Sequence, residues 1–397
     1  MKITNLVYTI PLIHAAANVT TNYFDAGTLN TGFLRTVYLF VVILLYLIRY
    51  KTPKIENLLF LISFFLLYNF ILTLNNNELI YPLINFTKVF IPFTLIFVGY
   101  SVINTTDKLN KLNLSVVYAA GFYTTNVVIS NIFNIGSSTY LDDTFFLGGS
   151  GVGVVNEVSI FTIVTLSYLF AINTKNKFDK LLSFLVIVCS IAIVFITMRR
   201  GAILTFAVSV ITFLYISGYK IRNLRILILV LAILLALFPI YGDVLLERYN
   251  YRVDSREGSF ANIEIEGRFM EFERIPNDLS DGGLVKWLFG THNFNSFNYF
   301  GGREIHVGYL AILHGSGIIG FTLFSIIMLY LVRKGLKGFR NSHEFENKRI
   351  LKALYFSLFI GLVIYLTTSR LHGYLVTTPV LLYLGSILGV LNSHSAK

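Results

Sequence analysis

An all-α, polytopic membrane protein of about twelve transmembrane helices is the fold the sequence predicts, and three observations predict it. Of the 397 residues, 55% are hydrophobic and 13% charged, whereas soluble domains carry about a quarter charged residues. Apolar runs long enough to cross a bilayer recur along the whole chain, more than one signal-like segment would explain. Lys and Arg fall in short clusters between these runs, as expected of loops that orient a membrane protein. The net charge of +11 is therefore not read as a nucleic-acid surface, and no nucleic-acid partner is expected. The lone Cys189 permits neither an intrachain disulfide nor a Cys-rich metal site.

Spans are expected near residues 3–19, 33–48, 57–74, 83–103, 113–134, 152–172, 181–198, 201–217, 225–241, 307–332, 350–369 and 373–391. Each must be helical, because lipid cannot satisfy backbone polar groups. The first, with Pro11, His14 and Asn18, reads as a shallow or broken helix. Residues 1–241 then form an N-terminal bundle of about nine spans, 242–306 a large periplasmic loop, and 307–397 a C-terminal set of about three spans. With the N-terminus inside, the clusters Arg49/Lys51/Lys54, Lys108/Lys111, Lys175/Lys177/Lys180, Lys220/Arg222/Arg225 and the segment from Arg333 to Lys352 all face the cytoplasm. An incorrect span count would scatter them. Both termini are thus expected to be cytoplasmic, in a bacterial inner membrane.

The opposite face carries Arg35, Arg199, Arg200, Arg248, Arg252, Arg256, Arg268, Arg274, Arg303 and Arg370, with only Lys88 and Lys286 as lysines. Guanidinium groups bind phosphate oxygens two at a time. Phosphate recognition and simple pairing with nearby carboxylates both account for the set. In the long loop, Phe269, Phe272 and Ile275 fall on one side of a short amphipathic helix, which Pro276 and the turn Asp281-Gly282-Gly283 are expected to end.

Three features on that face carry chemistry. Arg199-Arg200-Gly201-Ala202 tops two spans, where charge close to hydrocarbon faces a cavity or a ligand, or snorkels to the headgroups. Gly267-Arg268 precedes Trp287-Leu288-Phe289-Gly290-Thr291-His292-Asn293-Phe294, in which Gly290 reads as a turn and Trp287 equally as an interfacial anchor. His306 heads a long span that reaches Gly317 and Gly320. An imidazole there is a base for a sugar hydroxyl, or a hydrogen-bonded interfacial His. The two glycines, one turn apart, are expected to bare a helix face for close packing.

The order of these motifs resembles the O-antigen polymerase and O-antigen ligase superfamily, over roughly the last two-thirds of the chain and most specifically from Glu266 to Phe321. Val307 departs from the polar residue usual after the family's His, and Gly151-Val152-Gly153-Val154-Val155-Asn156-Glu157 looks like a degraded form of another family motif. The resemblance implies a metal-independent, membrane-embedded glycosyltransferase with no cofactor. Its donor would be an oligosaccharide on undecaprenyl pyrophosphate at the periplasmic face. Arg200 and Arg268 would hold the leaving pyrophosphate, and His306 would act on the acceptor hydroxyl. Arg199, Arg248, Arg252, Arg303, Arg370, Asn156, Glu157 and His292 would bind substrate. Membrane lipids and a chain-length regulator are the further partners implied. Polymerase is preferred over ligase because the motifs are loose, and a capsule or exopolysaccharide polymerase is a chemically equivalent alternative. A lipid-linked sugar flippase or other carrier is the competing class, disfavoured because charge gathers at the outer edge and the halves do not match.

Overall fold

The computed structural model describes residues 2–24, 31–50, 55–136, 146–149, 153–171, 177–197, 199–218, 267–295, 305–343, 345, 347–371 and 373–395. They form thirteen helices: α1 Ile3–Phe24, α2 Thr31–Arg49, α3 Glu56–Leu74, α4 Ile80–Val102, α5 Thr106–Phe133, α6 Val154–Ala171, α7 Lys177–Ile196, α8 Arg200–Ser217, α9 Gly267–Asp281, α10 Gly283–Phe289, α11 Gly308–Asn341, α12 Lys348–Thr368 and α13 Tyr374–Ser395. Ten of these, α2 to α8 and α11 to α13, are long and apolar enough to cross a membrane. The chain is an all-α multi-pass membrane protein. The expected span at 225–241 lies outside the described residues. The first expected span is α1, which is not among the ten. It runs unbroken for 22 residues through Pro11, and buries His14 and Asn18 inside the bundle.

Small residues set the tightest packing. A Cβ on Gly99 of α4 would collide with the Leu382 carbonyl of α13, and one on Gly385 or Gly389 would collide with the carbonyls of Ile96 or Tyr100. Absence of these side chains lets the two backbones touch, a main source of helix association in lipid. α13 and α6 are the most enclosed spans, 94% and 89% buried along their apolar stretch, against 22% for α2. α2 therefore turns most of its surface to lipid. α6 sits centrally, against α5, α7, α8, α12 and α13.

Helix direction alternates so that one end gathers the lysine-rich segments. There Arg349 at the start of α12 donates to the Ile216 carbonyl near the end of α8, and Phe345 stacks on His394 near the end of α13. The other end carries His306. At that end α9, α10 and the start of α11 share a small apolar core of Ile275, Leu279, Ile305, Val307 and Leu310, with Trp287 packed on it. Two expectations are corrected here. Pro276 lies inside α9. A proline forfeits one backbone bond, but Ile275 and Leu279 are fully buried, and that burial carries the helix on to the Asp281-Gly282-Gly283 turn.

Gly317 does not bare a smooth helical face; it breaks α11, with φ 63° and ψ −170°. The break receives the turn after α10. A Cβ on Gly317 would strike the Leu288 carbonyl, and one on Gly290 (φ 76°) would stand 2.5 Å from the backbone of Gly315 and Gly317. Carbonyls released by the break find new donors: Tyr68 OH to Ser316 O at 3.0 Å and Thr291 N to His314 O at 2.6 Å. That compensation is what an interrupted helix at membrane depth requires.

Candidate functional site

His306 stands two residues ahead of α11 and is held by α9. Glu271, one turn after Arg268 in α9, accepts the backbone N–H of His306 at 3.0 Å and that of Val307 at 3.0 Å. Its Oε1 lies 3.7 Å from His306 Nδ1. Burial raises the Glu271 pKa, but the hydrogen bonds from the His306 ring and the two backbone amides outweigh it, so the carboxyl ends below its ordinary value. On the other side of the imidazole, Arg370 Nη2 is 3.5 Å from Nε2. Arginine can only donate, so Nε2 is an acceptor and, in a neutral ring, the proton sits on Nδ1 facing Glu271. The assignment follows from the bonding pattern. It leaves the basic nitrogen beside a guanidinium, with the side chain 36% exposed.

Val307 does not present an apolar group to this site. Its side chain is buried in the small core while its N–H binds Glu271. The residue locks α9 against α11 and so aims His306.

Arg370 also lines a cleft of about 840 Å³ at this end of the bundle, together with Arg35 of α2, Lys88 of α4, Asn18 of α1, Gly153 and Val154 at the start of α6, and Tyr374 of α13. Lys88 Nζ is steadied by Asn85 Oδ1 at 3.2 Å, and the Arg35 guanidinium stacks 4.7 Å over the Tyr374 ring. Three cations from three separate elements thus line one recess. Behind it lies a fully buried polar network. Glu157 accepts from Tyr123 OH at 2.6 Å and Asn18 Nδ2 at 2.9 Å, and pairs with His14 Nδ1 at 2.8 Å. Asn18 Oδ1 in turn accepts from Arg35 Nη1. Glu157 is therefore linked to the cleft through Asn18 and Arg35.

The remaining expected residues distribute as follows. Arg199 is half-buried and caps α8, Arg200 is exposed at its first turn, and both stand at the site end. A Cβ on Gly201 would lie 2.8 Å from Thr368 Oγ1, and one on Gly308 2.8 Å from Ser369 O. The starts of α8 and α11 thus meet at the end of α12, next to Arg370. Arg268 is placed by its backbone, one helical turn before Glu271. Asn156 is buried beside Glu157. His292, exposed with φ 48°, lines a different recess of about 290 Å³ with Asn75, Asn76 and Asn77. Arg248, Arg252 and Arg303 lie outside the described residues. Among the described residues, no group of three or more His, Cys, Asp or Glu gathers as a metal ligand set.

Sequence reasoning missed Glu271 and Lys88 as partners of the site, and it missed a second histidine–carboxylate pair. His314 Nε2 contacts Asp278 Oδ2 at 3.0 Å, with Lys286 Nζ 3.6 Å from Asp278 Oδ1. A signal existed. Glu271 and Asp278 are seven residues apart, while His306 and His314 are eight apart, each two helical turns. The matching period predicts two facing pairs. The Trp287–Phe294 stretch is tied to the bundle by Asn293, whose amide donates to Asn69 O at 3.0 Å, and by Asn85 donating to Phe294 O at 3.1 Å. Comparison of the chain with family models and with curated proteins finds no match.

Proposed function

We propose that this protein is a membrane-embedded glycosyltransferase that joins oligosaccharide units carried on undecaprenyl pyrophosphate, an O-antigen polymerase in its reaction. The observation that supports it best is the His306 imidazole, held between the Glu271 carboxylate, 3.7 Å from Nδ1, and Arg370, 3.5 Å from Nε2, with Arg370 lining a cleft that adds Arg35 and Lys88. The acceptor hydroxyl gives its proton to Nε2 as its oxygen bonds to the donor's anomeric carbon. The bond from that carbon to the diphosphate oxygen breaks, and the lipid pyrophosphate departs. Pyrophosphate leaves without a proton, so the protein's main task is to stabilise developing negative charge. Guanidinium and ammonium groups do so here, with Arg200 and Arg268 at the same end of the bundle. Lysine-rich loops at the opposite end support a cytoplasmic assignment for that face and, with it, the reading of the cleft as periplasmic.

One observation favours a second reading. Glu157 and His14 are buried within the bundle, and intramembrane acid–His pairs serve proton relays in carriers. Reconstitution separates the two. Purified protein in vesicles, given lipid-linked repeat units and no other acceptor, should build a ladder of products. His306→Ala should abolish it at unchanged protein level, and Arg200→Lys or Arg370→Lys should impair it, because a point charge does not reproduce the fork. Transbilayer movement of the lipid-linked unit without any ladder would establish the carrier instead.

A further inference from the structure

The cationic cleft has a continuation. Below it, between α2, α3 and α4, lies a second hollow of about 680 Å³, lined among others by Ile43, Tyr46, Leu66, Phe70, Phe86 and Phe97. Both hollows lie along the α2–α4 gap. Phe40 lines the first and Phe90 the second, and these two rings stack on each other with centroids 6.1 Å apart. One aromatic pair is thus the boundary between them. Measured along α4 from Ile84 to Phe97, the combined trough covers roughly 20 Å of helix, about two-thirds of a hydrocarbon core of roughly 30 Å.

Polarity divides sharply along this length. The upper part holds Arg35, Lys88 and Arg370. The lower part has no ionisable group besides two tyrosines, and its polar atoms are only the hydroxyls of Tyr46, Tyr50, Ser63 and Thr94. The rim residues Phe33, Phe40, Leu47, Leu67 and Phe70 are exposed on the surface that faces lipid. A ligand can enter sideways. The back wall is fixed, because α4 is clamped to α13 at Gly99, Gly385 and Gly389.

We infer that this trough holds the tail of a single-chain polyprenyl diphosphate, with the diphosphate among Arg35, Lys88 and Arg370 and the isoprenoid running past the Phe40–Phe90 pair. The inference rests on the lipid-linked donor proposed above, and adds where its tail lies. Charge decides against an ordinary membrane phospholipid. Three cations suit two linked phosphates, and one trough suits one chain, whereas a phospholipid brings one phosphate and two chains.

Binding to the purified full-length protein tests this without requiring glycosyl transfer. Native mass spectrometry would compare undecaprenyl diphosphate, isopentenyl diphosphate, whose single isoprene unit stops short of the Phe40–Phe90 pair, and phosphatidylglycerol. The long prenyl chain should bind at least about ten-fold tighter than the short one, since each buried methylene adds free energy. Ser63→Trp fills the lower hollow from an exposed position; it should erase that advantage and leave isopentenyl diphosphate binding unchanged. Thr94→Phe, from the opposite wall, should do the same. Arg35→Ala or Lys88→Ala should weaken both diphosphates. Retention of the chain-length advantage in both filled variants, or phosphatidylglycerol competing as well as undecaprenyl diphosphate, would overturn the proposal. Intact long-chain binding with no product ladder would fault the polymerase reading and leave the groove standing.

Discussion

His306 is engaged at both ring nitrogens and at its backbone amide, and Glu271 supplies most of that fixation. A carboxylate receiving two backbone N–H groups and an imidazole favours its charged form. Because its folded pKa is lowered, the stabilisation is complete above the ordinary carboxylate value and is lost as pH falls from there through the lowered value. Hydrogen bonds to a charged group contribute roughly 1.5 to 3 kcal/mol each. Glu271→Gln should therefore lower thermal stability at neutral pH by about 1 to 3 kcal/mol, and the difference from the parent should shrink below the usual carboxylate range. Amide exchange at His306 and Val307 gives the local readout. Equal acid sensitivity in parent and variant would show that this carboxylate does not hold the joint.

At the scale of elements, the break at Gly317 is the feature with the clearest cost. Backbone at φ 63° and ψ −170° is open essentially to glycine alone and costs a side-chain-bearing residue about 1 to 3 kcal/mol, and a methyl group there also strikes the Leu288 carbonyl. Gly317→Ala should loosen the α10 turn from α11. Faster proteolysis within 287–295 than in the parent, with the other helices unchanged, is the expected result. Undiminished protection would mean that the turn is held by Asn293 and Asn85 alone. The α11 span was legible because apolar length dictates it, and the end of α9 because Gly282 and Gly283 follow it. The interruption was not, since Gly317 and Gly320 fit helix packing equally well; only the approach of Gly290, remote in sequence, decides between them. Pro276 misleads for the same reason, with burial of Ile275 and Leu279 overriding a local preference. Of the site, the His306 position was readable from its motif. Arg370 was readable as an arginine of that face, Glu271 only from the shared spacing of the two acids and the two histidines, and Lys88, which joins Arg370 in the cleft, from no local pattern, because tertiary packing alone brings it there.

For the whole molecule, the decisive question is which end faces the cytoplasm. Single cysteines in a Cys189→Ser background answer it with a thiol reagent that cannot cross the membrane. His292→Cys should label in intact cells and His343→Cys only after permeabilisation. The reverse pattern would place the Arg35–Lys88–Arg370 cleft on the wrong side for a periplasmic reaction. The sequence read the helical class and most spans correctly at this scale, since length and apolarity are sums over many residues and tolerate local error. α1 departs from that average because His14 and Asn18 pair inside the bundle with Glu157 and Tyr123.

The clamp between α4 and α13 bears on how the molecule is built. α4 leaves the ribosome long before α13, so it must wait in the membrane with a strip of bare backbone around Gly99 until its partner is synthesised. Arg35 meanwhile lacks Tyr374, the ring it stacks on in the finished protein. The cationic recess therefore closes only once α13 has docked, and a nascent chain halted before Tyr374 should hold the proposed lipid diphosphate poorly. The recess is complete only with α13.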